Sequence, residues 1–314
     1  MKHYFVINPV AGKGEAKKIV LPEILKVIKS IDIDYEIHRT TGPTEAEAYT
    51  KKRCEESNGR PIRFYACGGD GTLNEVLNGL YNYPGAELTV IPSGSGNDFV
   101  RNFPDYDFRN IRKLISGEAR SLDLIEYSDI GETDTDTPNP PRYAINMCNI
   151  GFDSEAVAIA GRLKTKSFIG GTAAYIGGVC LVLIQKKTVK LTFLFEDGSK
   201  YTERTLLTAI ANGAYCGGGF KGAPMADTND GLLDVSIVNE LSRRLFLTLL
   251  RKYHRGSHLQ DPRAKDLMQY KQVKSVTITP KDKMTMAVDG EVGMYGKLSF
   301  KIIPNAVMFS FPCL

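Results

Sequence analysis

The sequence predicts an α/β domain with a doubly wound, mainly parallel sheet, followed by a mostly antiparallel, β-sandwich-like second domain. Three observations predict it. Short apolar runs alternate with segments of helical periodicity through Arg120, the pattern of strands joined by crossover helices. Beyond Pro141, runs of β-branched and apolar residues bounded by turn residues dominate. A chain of 314 residues is also long for a single core, so two domains are the better expectation. The boundaries fall at 1–127 and 128–304, with 305–314 expected to pack back on the first domain.

In the first domain, Lys2 to Asn8 is a strand, and the turn Asn8-Pro9-Val10-Ala11-Gly12-Lys13-Gly14 leads into a helix with Ile19, Val20, Ile24, Leu25 and Ile28 on its apolar face. Tyr35 to His38 is the second strand. Pro43 and the acidic residues after Thr41 suit the first turn of the next helix. Pro61 to Ala66 is a buried strand, and Leu73, Val76, Leu77 and Leu80 recur at helical spacing behind it. Leu88 to Ile91 is the fourth strand, ending in the glycine turn Pro92-Ser93-Gly94-Ser95-Gly96-Asn97-Asp98.

Ser128 to Pro141 is acidic, proline-rich and without apolar periodicity, a solvated loop. Strands follow at Tyr143 to Asn149, Val189 to Phe195, Tyr201 to Ala211, Leu233 to Val238, Val273 to Thr279, Met284 to Val288 and Lys297 to Ile303, with helices around Asp153 to Lys186 and Ser242 to His254.

Composition bounds the function. The chain is 42% hydrophobic and 24% charged, ordinary for a soluble globular protein. A net charge of +4 argues against a nucleic-acid-binding protein built on a large positive field. It leaves room for a local basic patch facing an anionic membrane. Six scattered cysteines without a Cys-x-x-Cys pair read as free thiols in a reducing compartment. The apolar stretch before Pro9 is too short for a signal peptide, so a cytoplasmic protein is expected. Phe168 to Ile184 holds no charge and is flanked by lysines, but its length and four glycines favour a buried or lipid-facing helix over a membrane span.

The chemistry concentrates at Cys67-Gly68-Gly69-Asp70-Gly71-Thr72-Leu73-Asn74-Glu75. Glycines at a strand-to-helix turn let backbone N–H groups approach an anion, and the helix adds its N-terminal dipole. Asp70 would repel a phosphate unless a divalent cation stands between them. The Asn8, Thr41, Asp70 and Ser95 turns all follow strands of one parallel sheet, where ligands gather at the carboxyl ends. Neither Gly12-Lys13-Gly14 nor Gly94-Ser95-Gly96 has the spacing of a P-loop or a dinucleotide fingerprint. Asp70, Asp98 and Asp123 could hold a magnesium ion directly or through water. Asp98 could equally cap the short helix after it, and Asp123 could be a plain strand-end carboxylate. In the second domain Asp227 and Asp230, with the Leu232 carbonyl, form a possible oxygen-ligand site, or an ordinary Asp-Gly turn. Asp289-Gly290-Glu291 offers either a general base or a hairpin turn. His254 and His258 read as a solvated basic helix end, ahead of a metal site.

Together, Asn8-Pro9, Gly68 to Glu75 and Pro92 to Arg101 closely resemble the diacylglycerol kinase catalytic domain family, shared with sphingosine and ceramide kinases. Asp230 to Val235 and Asp289-Gly290-Glu291 fit its soluble bacterial lipid kinases. The resemblance implies an ATP-dependent lipid kinase, with diacylglycerol the commonest acceptor, phosphatidic acid the product, and an active site in the interdomain cleft. It implies ATP contacts at Asn8, Thr41, Gly68, Gly69, Asp70, Gly71, Thr72, Leu73, Asn74, Glu75 and Ser95. It implies a catalytic magnesium network of Asp70, Asp98 and Asp123, a structural magnesium at Asp227, Asp230 and Leu232, and a base at Asp289 or Glu291. Relatives often carry lysine at the Asp227 position, which leaves open whether its side chain or its carbonyl serves the metal.

Such a kinase would associate peripherally with the membrane that carries its lipid. Phe168 to Ile184 is the candidate lining of the acyl-chain entrance, and an exposed edge strand could support a homodimer. No nucleic-acid partner is expected. The rival readings are an NAD kinase, which shares the glycine–aspartate turn but fits Ser95 to Phe99 and Leu73-Asn74-Glu75 less well, and a non-catalytic nucleotide- or lipid-binding regulator, which the filled acidic positions disfavour.

Overall fold

The computed structural model describes residues 1–131, 140–151 and 188–314. Phe168 to Ile184, the helix expected around Asp153 to Lys186, and most of the Ser128 to Pro141 loop therefore lie outside the described residues. The chain divides into two compact units, Met1–Asp123 with Asn305–Leu314, and Leu124–Pro304. No helix among the described residues is long and apolar enough to cross a membrane.

The first unit is a parallel sheet. Strands β1 (Lys2–Ile7), β2 (Asp34–Arg39), β3 (Ile62–Gly68) and β4 (Ala86–Pro92) lie in the order β2-β1-β3-β4, and the end of a late strand, β15 (Leu298–Phe311), adds to β4 through Met308 and Phe309. All these pairings are parallel. The strand order reverses between β1 and β3, the switch point where such sheets bind ligands. Every residue of β3 is buried, as a strand covered on both faces requires, and this is why it reads as an unbroken apolar run.

Helix α1 (Leu21–Ile28) continues a π turn at Ala16–Val20. Helix α2 (Glu45–Ser57) and helix α3 (Asp70–Leu80) follow β2 and β3, and α4 (Ile111–Ile115) follows β4. Leu73, Val76, Leu77 and Leu80, the spacing that predicts α3, are all buried, each contributing about 1.5–3 kcal/mol of burial. The Asn110 side chain caps α4 by accepting the Lys113 N–H at 3.1 Å.

In the second unit every described pairing is antiparallel. Strands β7 (Met147–Gly151), β8 (Val189–Phe195), β9 (Lys200–Ala211), β10 (Leu233–Asn239), β12 (Ser275–Pro280) and β13 (Met284–Val288) fall close to expectation. The second half of β9 pairs with both β7 and β10, and its first half with β8. The inner face is a core of Ile150, Phe193, Ile210, Val235, Ile278, Met286 and Phe300. Strands β5 (Glu118–Asp129) and β6 (Arg142–Ala144) pair at Ile125 and Ala144. Two strands appear that the sequence does not announce, β11 (Met268–Val273) and β14 (Glu291–Tyr295). Helix α5 (Arg243–Arg255) is capped by Ser242, which accepts the Leu245 N–H, and ends at Gly256 with φ 74°. Among the described residues Cys54, Cys67, Cys148, Cys216 and Cys313 are free.

Candidate active site

In the first unit, three turns close on one another at the carboxyl ends of β1, β3 and β4. Asn8 donates its N–H to the Cys67 carbonyl at 3.0 Å, and Ser93 donates to the Gly68 carbonyl at 2.8 Å. The Asn8 amide reaches Thr72 Oγ1 at 3.1 Å. A Cβ on Gly94 would collide with the backbone of Gly69, and one on Gly12, at φ 58°, with the Ser93 carbonyl. Glycine is thus required where the backbones meet. Helix α3 starts at this junction with its positive end.

Asp70 is the first residue of α3. Its Oδ1 accepts the backbone N–H of Asp98 at 2.9 Å and of Phe99 at 3.4 Å. A Cβ on Gly96 would lie 3.0 Å from Asp70 Oδ2 and 3.2 Å from Asp98 Oδ2. Two carboxylates therefore flank one bare Cα. Their mutual repulsion is relieved by a hard divalent cation, so the donor set fits magnesium held partly through water. Asp98 stands at the N-cap position of the 3₁₀ turn Phe99–Asn102 without capping it through its side chain, so the capping role expected as an alternative is not observed. Arg101 approaches Asp98 Oδ1 at 3.4 Å and donates to the Gly96 carbonyl at 3.1 Å.

The other nucleotide candidates divide. Thr41 donates both its N–H and its hydroxyl to Glu45 Oε2, at 2.5 and 2.6 Å, in the turn after β2. Ser95 is exposed on the glycine turn. Leu73 and Asn74 are buried, and Asn74 Oδ1 accepts from Asn78 at 3.2 Å. Glu75 accepts the Ala46 N–H at 3.1 Å and so ties the start of α2 to α3. These three residues position the turn from behind. Asp123 is 1% exposed in β5 and accepts the Asn305 N–H at 2.8 Å, fastening the returning chain.

Sequence reasoning assigned no role to Asn97. It sits at φ 52° and clamps Gly94 from both sides, its Oδ1 accepting the N–H and its amide donating to the carbonyl, each at 2.9 Å. An asparagine in a glycine turn is itself the signal for such a left-handed clamp.

In the second unit, Asp227 and Asp230 are exposed and form successive turns, accepting the N–H groups of Asn229 at 3.1 Å and Leu232 at 2.9 Å. Behind them lies Asp234, fully buried, with neither carboxylate oxygen in hydrogen-bond geometry with a partner. Burial pushes its carboxyl up to about 6, the nearby Asp230 and Asp227 charges push the same way, and the Tyr270 and Gln272 side chains beside it resist. A buried carboxylate with only the Tyr270 and Gln272 side chains beside it, next to two more carboxylates, is a donor set that a hard cation satisfies. Among the described residues no three His, Cys, Asp or Glu side chains stand close enough to form a metal cluster by themselves. Backbone carbonyls and water would have to complete either site.

Asp289 and Gly290, at φ 44° and 89°, form the two-residue turn that pairs Val288 with Glu291 between β13 and β14. The Asp289 carboxylate is 5% exposed and accepts three backbone N–H groups, from Ile145 at 3.0 Å, Asn146 at 3.1 Å and Met147 at 2.9 Å. Its lone pairs hold the bend between β6 and β7. Glu291 is exposed at the start of β14.

His258, read as part of a solvated helix end, is instead fully buried against Tyr253, with ring centroids 4.7 Å apart. The chain folds back at Gly256 and carries it inward.

Comparisons with known proteins bear on the family and the fold. Residues 2–127 match the family model of the diacylglycerol kinase catalytic domain, and residues 146–310 that of the YegS C-terminal NAD kinase beta sandwich-like domain. The chain is 30% identical to a diacylglycerol kinase of Staphylococcus carnosus over 291 residues, covering 92% of this chain and 88% of that protein. It is 29% identical to a diacylglycerol kinase of Bacillus subtilis over 296 residues, covering 92% and 89%. Among solved structures, a diacylglycerol kinase from Bacillus anthracis str. Sterne shares the fold with a TM-score of 0.67 at 19% identity, over 99% of this chain and 96% of that one.

Proposed function

The chain belongs to the diacylglycerol kinase catalytic domain family, and from that premise we propose that it transfers the γ-phosphoryl group of ATP to the hydroxyl of diacylglycerol, giving phosphatidic acid. It is a kinase acting on an alcohol acceptor. The observation that carries the reading is the closure of three strand-end turns around the Asp70 and Asp98 carboxylates at Gly96.

Phosphoryl transfer needs positioning and charge neutralisation more than covalent chemistry. The Gly68-Gly69 and Gly94 to Gly96 backbones would hold the polyphosphate, with Asn8, Thr72 and Asn97 fixing the turns that present it. Asp70 and Asp98 would hold magnesium, which when bound neutralises the phosphate oxygens. Asp123 is assigned to the same network through the Asn305 turn it fastens. Asp227 and Asp230, with the Leu232 carbonyl and water, would hold a second, structural cation in front of the buried Asp234.

Of the two base candidates, the hydrogen bonding favours Glu291. Asp289 already accepts three N–H groups from the β6–β7 bend, whereas Glu291 is exposed next to that rigid turn. Glu291 would take the proton of the lipid hydroxyl as its oxygen bonds to the γ-phosphorus and ADP leaves. Working on a lipid, the protein would act at a membrane surface as a peripheral protein.

The test is transfer of labelled phosphate from ATP with magnesium to a panel of lipids in mixed micelles. Labelled phosphatidic acid from diacylglycerol is expected. Transfer to NAD with none to any lipid would overturn the reading.

A further inference from the structure

Helix α5 buries one stripe and leaves the opposite one strongly basic. Phe246 and Tyr253 pack with Leu206, Leu207, Val238 and Leu241, and Leu249 is buried on the same stripe. Arg244, Arg251 and Arg255 are exposed, and their spacing of seven and then four residues places them within about 40° of one another, at about 100° per residue, facing away from that core. The helix contains no acidic residue. Among the described residues none of the three arginines has an ion-pair partner. Asp261, the acidic residue that pairs with this helix, is 1% exposed and committed to Lys252 at 3.0 Å and Arg263 at 2.7 Å.

Between Arg244 and Arg251 sits Leu247, 60% exposed. An apolar side chain framed by arginines suits a surface whose outside is anionic and whose inside is hydrocarbon. A nucleic-acid backbone offers the charge without a place for the leucine. The net charge of +4 over the whole chain also speaks against a large nucleic-acid field, so the positive charge of this helix is local.

We propose that the exposed face of α5 docks on anionic phospholipid bilayers, with Arg244, Arg251 and Arg255 on the headgroups and Leu247 entering the interface. The proposal rests on the lipid-kinase reading for its biological purpose, and its test does not. The full chain, without ATP or diacylglycerol, is floated with vesicles of phosphatidylcholine containing one-third phosphatidylglycerol. Flotation is expected for the parent chain and is expected to weaken with salt. Replacing the three arginines together by glutamine should weaken it on the order of a hundredfold, and Leu247→Ser alone by several-fold.

Transfer to diacylglycerol in uncharged detergent micelles should be unchanged in both variants, which shows them folded. Parent and arginine variant floating alike would overturn the proposal, as would flotation equally strong on pure phosphatidylcholine. Loss of duplex DNA binding in the arginine variant with vesicle binding intact would assign the stripe to nucleic acid and also overturn it. Failure of the lipid-kinase reading would show separately, as no transfer in the micelles whatever the vesicles do.

Discussion

Asp70 and Asp98, 28 residues apart, share one hydrogen bond and one glycine: the Asp98 N–H reaches Asp70 Oδ1 at 2.9 Å, while the Oδ2 atoms of both aspartates crowd the place where Gly96 lacks a Cβ. The backbone bond fixes the second glycine turn against the first. The two Oδ2 atoms converge beside the bare Cα of Gly96, where the proposed cation would sit.

Asp70→Asn keeps an oxygen for the Asp98 N–H and removes the charge. Transfer should fall by two to three orders of magnitude, with thermal unfolding within a few degrees of the parent. An Asp70→Asn protein that transfers phosphate at the parental rate would remove Asp70 from the cation site.

Gly96→Ala separates space from charge. Because Gly96 is not in the left-handed region, the new methyl strains no backbone, and its nearest neighbours are the Asp70 and Asp98 carboxylates, with oxygens at 3.0 and 3.2 Å. Activity should drop at least tenfold through displacement of the two carboxylates, with a stability change of about 1 kcal/mol or less. A large stability loss with normal specific activity in the folded fraction would mean the glycine serves the fold and not the cation.

Asp289 and Glu291 should part on two different measurements. Asp289→Ala strands three backbone N–H groups in a buried bend, so it should lower stability by about 3 kcal/mol or more. Glu291→Gln, at an exposed position, should leave stability within about 0.5 kcal/mol. Its kcat should fall by a factor of about 10²–10⁴ and lose its acid limb against pH. Parental kcat in Glu291→Gln would return the base assignment to another group.

At the second acidic site, Asp234→Asn removes a fully buried charge whose burial outweighs the help of Tyr270 and Gln272. In chelator at pH 8 this variant should unfold at a higher temperature than the parent, because the desolvation penalty is gone. Magnesium should raise the parent's unfolding temperature by ligand linkage and raise that of Asp230→Asn or Asp234→Asn much less. Equal magnesium shifts in all three proteins would place the cation elsewhere.

The fold was legible where burial leaves a periodic or continuous trace. Strands β1, β3 and β4 are central in a parallel sheet and read as apolar runs, and α3 shows its leucines at helical spacing. β14 was not legible, because Glu291, Val292 and Met294 are exposed at the end of the strand order and lack an inward alternation. β11, Met-Gln-Tyr-Lys-Gln-Val, is too polar to announce itself. At the site, the sequence named the glycine turns and their aspartates from local chemistry. It left Asp289 and Glu291 level, since the N–H groups that occupy Asp289 come from a bend more than 140 residues earlier in the chain. Asp234 lay within a recognised motif, but its burial depends on pairing with β9 and β11.

His258 makes acid stability a test of the core rather than of the site. Burial lowers its pKa to about 4 from the ordinary 6.5, against the Lys252 backbone carbonyl, which raises it. The folded state thus holds the ring neutral, while the unfolded chain takes up a proton below about 6.5. Its contribution is fully present above pH 6.5 and is lost as pH falls from 6.5 through 4, about 3 kcal/mol in all. His3 acts in the same direction, lowered to about 4 chiefly by burial and then by Arg63, so the parent should lose stability from both. Urea unfolding of His258→Gln at pH 7 and pH 4.5 should show a smaller difference between the two pH values than the parent does. His3 then still supplies a slope of the same sign. Equal pH differences in parent and variant would mean that the folded protein lets His258 take up its proton unhindered, and the buried ring would lose its place in the acid response.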